Sequence, residues 1–236
     1  MWDVLHASSF LVDGASLDEI VRPLKTLLPC KYCRESFVGF YEQLGPPQGA
    51  RSSTEVPMWI YRAHELVNRK LSVQKAEAFV KKNKIGAQPA AILLRYATDV
   101  TQFQPSFEVV QKRFMVHRDE PIQWSSLSVV LLAVTMGLQN NDTAKANIEP
   151  FYAEFVTFMM GLKKALKASK QSNQEGLLEV LDRCIQLCAS GAPVQQLRTL
   201  LDNMKYTHVV RTGSASSCQD LSGLIKAGAC IKGTCA

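Results

Sequence analysis

Apolar residues recur at three- and four-residue intervals along most of this chain, and that period predicts helices. The first would occupy residues 1–12, where Trp2, Leu5, His6, Ser9 and Phe10 share one side and Gly14 ends the run. Ser16 with Glu19 reads as a capping box for the next helix, whose apolar positions are Leu17, Ile20, Val21, Leu24, Leu27 and Leu28. Pro29 should close it, because proline pushes the residue before it out of the helical region. A helix over Arg34 to Leu44 follows, with Phe37, Val38 and Tyr41 on one face, and then a Pro-, Gly- and Ser-rich loop over 45–57. Ser53 or Thr54 would cap a helix from about Pro57 to Leu71. On it Trp59, Ala63 and Val67 form one stripe, and Ile60, His64, Asn68 and Leu71 form the adjoining one.

Gly86 and Pro89 break the pattern, and a connection over 86–105 holds one short helix. Further helical segments run to about residue 205, with interruptions at 140–142 and 191–193. Their stripe of Phe151, Phe155, Phe158 and Met159 reads as core, an interaction surface being the other reading. Cys184 and Cys188 are four apart on one helix face, which suits buried thiols better than a disulfide. From residue 207 the chain turns rich in Gly, Ser and Thr, as a flexible tail would. The expected organisation is therefore all-α, with domains over 1–85 and 86–205 and a tail over 206–236 that ends in Cys230 and Cys235.

The 236 residues are 47% hydrophobic, enough for a sizeable core. The net charge of +6 is modest, and Lys and Arg look spread along helical faces, so no nucleic-acid partner is expected. The longest apolar run, Val129 to Val134, is too short to span a bilayer, and residues 1–12 lack the basic flank of a signal peptide. The expectation is a soluble chain with no membrane partner. Seven cysteines are many for a cytosolic protein that uses no disulfides, and the odd number leaves at least one thiol unpaired.

Cys30 and Cys33 form a C-x-x-C pair where a loop turns into a helix. Free backbone N–H groups and the helix dipole stabilise a thiolate there, with Lys31 and Arg34 adding positive potential. Half of a zinc site is one reading, but no second ligand pair lies downstream, and no metal is expected. A thioredoxin-like motif would need strands, and the period on both sides is helical. A buried structural pair and a redox-active disulfide in a helical setting remain. His64 and Asn68, one turn apart on a largely apolar face, either hydrogen-bond each other or their surroundings, or meet a polar, ring-shaped ligand.

Trp2-x3-His6, Pro29-Cys30-x2-Cys33 and Trp59-x4-His64-x2-Val67-Asn68-x2-Leu71 resemble, in order and spacing, the Erv/ALR-type FAD-dependent sulfhydryl oxidases over residues 1 to about 85. The resemblance implies a four- to five-helix FAD-binding bundle, here with a second helical domain. It implies Cys33 as the flavin-proximal thiol and an exposed Cys30 as the interchange thiol. Trp2, His6 and His64 would surround the adenine end, Asn68 would hydrogen-bond the cofactor, and Val67 and Leu71 would line its pocket. Phe10 and Phe37 fall near isoalloxazine-lining positions. Protein thiols would be substrates, molecular oxygen the acceptor, hydrogen peroxide a product, and a homodimer the assembly.

The chain departs from the family pattern in places. Glu65 stands where Asn usually follows the histidine, Val73 replaces a frequent lysine with Lys75 the nearest substitute, and the usual second cysteine staple is missing. Cys230-x4-Cys235 is similar to the C-terminal shuttle of certain members, with a structural clip or incidental cysteines as alternatives. The shuttle that usually precedes the first tryptophan has no room after Met1 alone. The added helical segment resembles that of large-DNA-virus members, which would place the protein in host cytoplasm or virion; the mitochondrial intermembrane space is the competing setting. A non-catalytic helical scaffold derived from the same fold is the competing function.

Overall fold

The computed structural model describes residues 1–50, 52–99, 105–116, 121–139, 141–172 and 174–212, and its regular structure is helical throughout. Helix α1 (Trp2–Ser9) leads into α2 (Gly14–Val21), whose N-cap Asp13 accepts a hydrogen bond from the Ser16 backbone N–H at 2.7 Å. The expected Ser16–Glu19 box does not form; Glu19 instead meets Lys164 at 2.6 Å. Gly14 opens α2 rather than ending α1, and a Cβ there would lie 2.1 Å from the Pro47 carbonyl oxygen. Glycine is needed because the 3-10 turn Pro47–Gly49 lies directly on it.

The single helix expected through Leu28 is interrupted at Pro23, giving a separate α3 (Leu24–Leu27). Leu28, ahead of Pro29, is extended with ψ 134°, so the chain turns into α4 (Lys31–Leu44). Helix α5 (Glu55–Asn83) runs twelve residues past Leu71. Its start is tied by Ser52 and Glu55, each side chain accepting from the other's backbone N–H at 3.1 Å, and not by the Ser53 or Thr54 side chain. Lys84 in left-handed conformation ends it, and α6 (Ala87–Ala97) folds back along it.

Then come α7 (Phe107–Val116), α8 (Trp124–Gln139), α9 (Asp142–Ala146), α10 (Glu149–Ser169), α11 (Gln174–Ala189) and α12 (Val194–Thr212). Helix α10 is central, packing on α1, α2, α3 and α11. Its Phe155, Phe158 and Met159 are fully buried, so that stripe is core. Gly161 lets α10 approach closely, since a Cβ there would meet Ile20 at 2.7 Å. Cys184 and Cys188 are buried on α11, and burial pushes both thiols up to about 12. Val4, Leu17 and Ile60 share one buried cluster with Leu131, Phe155 and Leu181, so residues on both sides of position 85 build the same core.

Candidate active site

The turn that holds the thiol pair is fixed from both ends. Cys30 is the N-cap of α4 and Cys33 its third residue, so both lie among the unsatisfied N–H groups of the first turn. Arg34 reaches back and donates to the Leu28 carbonyl at 2.7 Å, closing the turn beneath Cys30. From the other side α8 presses Gly137 on the turn; a Cβ there would lie 2.6 Å from the Leu27 carbonyl oxygen and 3.0 Å from the Pro29 Cα. Cys30 is half-buried and Cys33 exposed, the reverse of the exposed Cys30 expected.

Helices α4 and α5 are antiparallel. Trp59 donates its indole N–H to the Gly45 carbonyl at 2.8 Å and meets Tyr41 edge-on, while one end further Lys70 bonds the Ser36 hydroxyl. That register sets the Cys33 end of α4 alongside the Val67–Leu71 part of α5. Phe37, one turn after Cys33, is buried; Val67 and Asn68 are half-buried, and Leu71 and Lys75 are exposed.

Helix α1 crosses α5 one turn earlier, and there the rings converge. Trp2 stacks on His64 with centroids 4.0 Å apart and planes 12° from parallel. His6 Nε2 lies 3.2 Å from His64 Nδ1 in a hydrogen bond between the two imidazoles. Desolvation lowers the His6 pKa to about 4, with the neighbouring His64 adding to the effect, and lowers that of His64 as well. Both rings are therefore neutral near pH 7. His6 Nδ1 is buried with no hydrogen-bond partner. A buried, unanswered ring nitrogen among aromatic faces suits the polar edge of a heteroaromatic ligand.

Five residues of this neighbourhood escaped the sequence reading. Phe114 of α7 stacks on His6 at 5.6 Å and on Phe10 at 5.9 Å, so Phe10 joins the cluster through it. Arg113 beside it pairs with Asp3 at 3.4 Å. Helix α7 is pinned there by the Tyr61 hydroxyl, which donates to the Pro105 carbonyl at 3.0 Å, and by the edge-on contact of Tyr61 with Phe107. Lys70, rather than Lys75, is the lysine brought to the α4–α5 junction. Lone aromatic and basic residues gave no local signal for these roles; the return of α7 across α1 creates those of Phe114 and Arg113, and the packing of α4 on α5 creates that of Lys70. Cys230 and Cys235 lie outside the described residues. A groove of about 570 Å³ between α11 and α12 is lined by residues such as Arg183, Gln186 and Thr199, none of them in this cluster.

Among the described residues the fold is all-helical, with a cysteine pair at the start of α4 and a Trp–His–His cluster where α1 crosses α5. Residues 1–86, about a third of the chain, match the model of the Erv1 / Alr family, a family of sulfhydryl oxidases in general, and this part of the chain is similar to it. No curated protein and no solved structure matches the chain.

Proposed function

We propose that this chain is an FAD-dependent thiol oxidase that converts pairs of protein thiols to disulfides. The observation behind it is the convergence of Trp2, His6 and His64 on α5, the helix whose Val67–Leu71 part runs alongside the Cys33 end of α4. The residues fit FAD: neutral imidazoles, an unanswered His6 Nδ1 and aromatic faces suit adenine, and Cys33 with Phe37 suits the isoalloxazine. Trp2, His6, His64, Asn68 and Phe114 would hold the adenine end. Because Trp2 and His64 are already in face contact, the adenine would stack on an outer face of that pair unless the two rings part. Val67 and Leu71 would line the pocket between its ends.

In the oxidised enzyme Cys30 and Cys33 share a disulfide. A substrate thiolate attacks one of its sulfurs, forming a mixed disulfide and releasing the other as a thiolate. Cys30 is assigned as the attacked sulfur, leaving Cys33, on the α4 face that bears Ser36 and Phe37 towards α5, as the released thiolate. The backbone N–H groups of the first turn of α4 stabilise that negative charge. The second substrate thiolate then attacks the mixed disulfide, giving the substrate disulfide and a reduced Cys30–Cys33 pair. FAD, when bound, supplies the two-electron acceptor that restores the disulfide and hands the electrons to oxygen, giving hydrogen peroxide.

The serine variants separate the two sulfurs. Cys30→Ser and Cys33→Ser should both lose dithiothreitol oxidation. Only Cys30→Ser keeps a thiolate against the flavin, and it alone should gain a long-wavelength absorbance band. A band in Cys33→Ser alone would reverse the assignment, and unimpaired turnover in either variant would remove the pair from the reaction.

A further inference from the structure

Beyond the thiol pair, the C-terminal half of α5 and the whole of α6 stand out from the rest of the molecule. Helix α6 packs chiefly on α5, turning Ala90 and Ala97 inward. Its other faces expose Ile92 at 70% and Tyr96 at 64%, and Phe79 of α5 is 54% exposed. Isolated apolar side chains on a surface are ordinary, but three this open on one two-helix arm are not.

Charge separates the arm further. The chain has 27 basic and 21 acidic residues, and residues 69–97 hold seven of the basic against one acid, Glu77. Outside the arm twenty of each remain, so the arm alone accounts for the net +6. The basic residues do lie along helical faces, but their excess over acids is gathered on one hairpin. Among the described residues no carboxylate forms an ion pair with these side chains.

The arm also starts at the thiols. The Lys70–Ser36 bond sets its base beside the Cys33 end of α4, and Leu71, Lys75 and Phe79 step outward along α5 at four-residue intervals. A second copy of the arm would bring like charge against like charge. An acidic segment with apolar anchors answers both properties of the surface, and one docked here would bring its neighbouring thiols to the turn that holds Cys30 and Cys33.

We propose that the α5–α6 arm is the docking surface for protein substrates, and that it selects thiols flanked by acidic and apolar residues. This rests on the oxidase reading for the word substrate, but binding to the arm is measurable without turnover. The probe is a fluorescent peptide of alternating Glu and Leu or Phe with serine in place of cysteine, compared with its lysine counterpart, on the full-length chain. Anisotropy should show saturable binding of the acidic peptide alone, weakening with salt. Ile92→Ser/Tyr96→Ser and Lys81→Gln/Lys82→Gln/Lys84→Gln should each weaken it at least about tenfold, or about 1.4 kcal/mol, with helical circular dichroism unchanged.

With cysteine peptides, the same variants should raise KM and leave dithiothreitol turnover intact. If dithiothreitol is not oxidised at all, the oxidase reading fails while the anisotropy still decides the surface. Equal binding of acidic and basic peptides, or binding indifferent to the variants, overturns the proposal. So does arm-dependent sedimentation with phosphatidylserine vesicles by a chain that ignores the acidic peptide, which would make the partner a membrane surface.

Discussion

His6 is where sequence, burial and chemistry meet in one side chain. Helical spacing sets it on the same side of α1 as Trp2, burial keeps its imidazole neutral, and His64 takes one ring nitrogen while the other is unanswered. The folded pKa of about 4 lies below the ordinary value of 6.5. Between those two values the unfolded chain binds a proton that the folded chain does not. Stability contributed by the neutral ring is therefore complete above about pH 6.5 and is lost as pH falls towards 4. The loss should be on the order of 2–3 kcal/mol for this residue. Denaturant midpoints at pH 7 and pH 4.5 should differ less in His6→Phe than in the unaltered chain. An identical pH dependence in the two would show that the His6 ring is not held neutral by the fold.

At the scale of elements, the packing of α8 on the thiol turn is the contact most exposed to a small change. Gly137→Ala would set a methyl group 2.6 Å from the Leu27 carbonyl, and both sides of that contact are backbone. The expected cost is about 1–3 kcal/mol of stability, with lowered dithiothreitol turnover as the Pro29–Cys30 turn shifts. Thermal unfolding and initial rates check it; unchanged values in both would mean that α8 does not position the turn. Helix α7 admits a similar test. Phe114→Ala should reduce the flavin retained through purification and weaken its rebinding at least about tenfold, although Phe114 lies outside the family match. Undiminished flavin affinity would remove Phe114 from the pocket.

For the molecule as a whole, what was legible in the sequence was local. Pro29, the helical period on either side and the Cys30–Cys33 spacing together specified the turn and its place at a helix start. The stripe of His64, Val67, Asn68 and Leu71 was readable because α5 keeps its period there. Pro23 was missed as a break because Leu24 and Leu27 continue the period of Leu17 and Ile20 across it. The last twelve residues of α5 were missed because their apolar positions are few and lie among lysines. Tertiary features left no local trace. The return of α7 on α1, the pressure of α8 on the redox turn, and the folding of α6 back along α5 appear only once the helices are placed. The second helical segment is part of the site's support, since it shares the core and supplies Phe114 and Gly137.

The central claim, that these helices hold a flavin against a working dithiol, is tested most directly by the absorbance spectrum of the purified full-length chain before and after dithiothreitol under air. The expected result is the spectrum of bound FAD, its bleaching by dithiothreitol, and its return as oxygen is consumed. A colourless chain that takes up no added FAD and leaves dithiothreitol reduced would contradict it and leave a helical scaffold without redox chemistry.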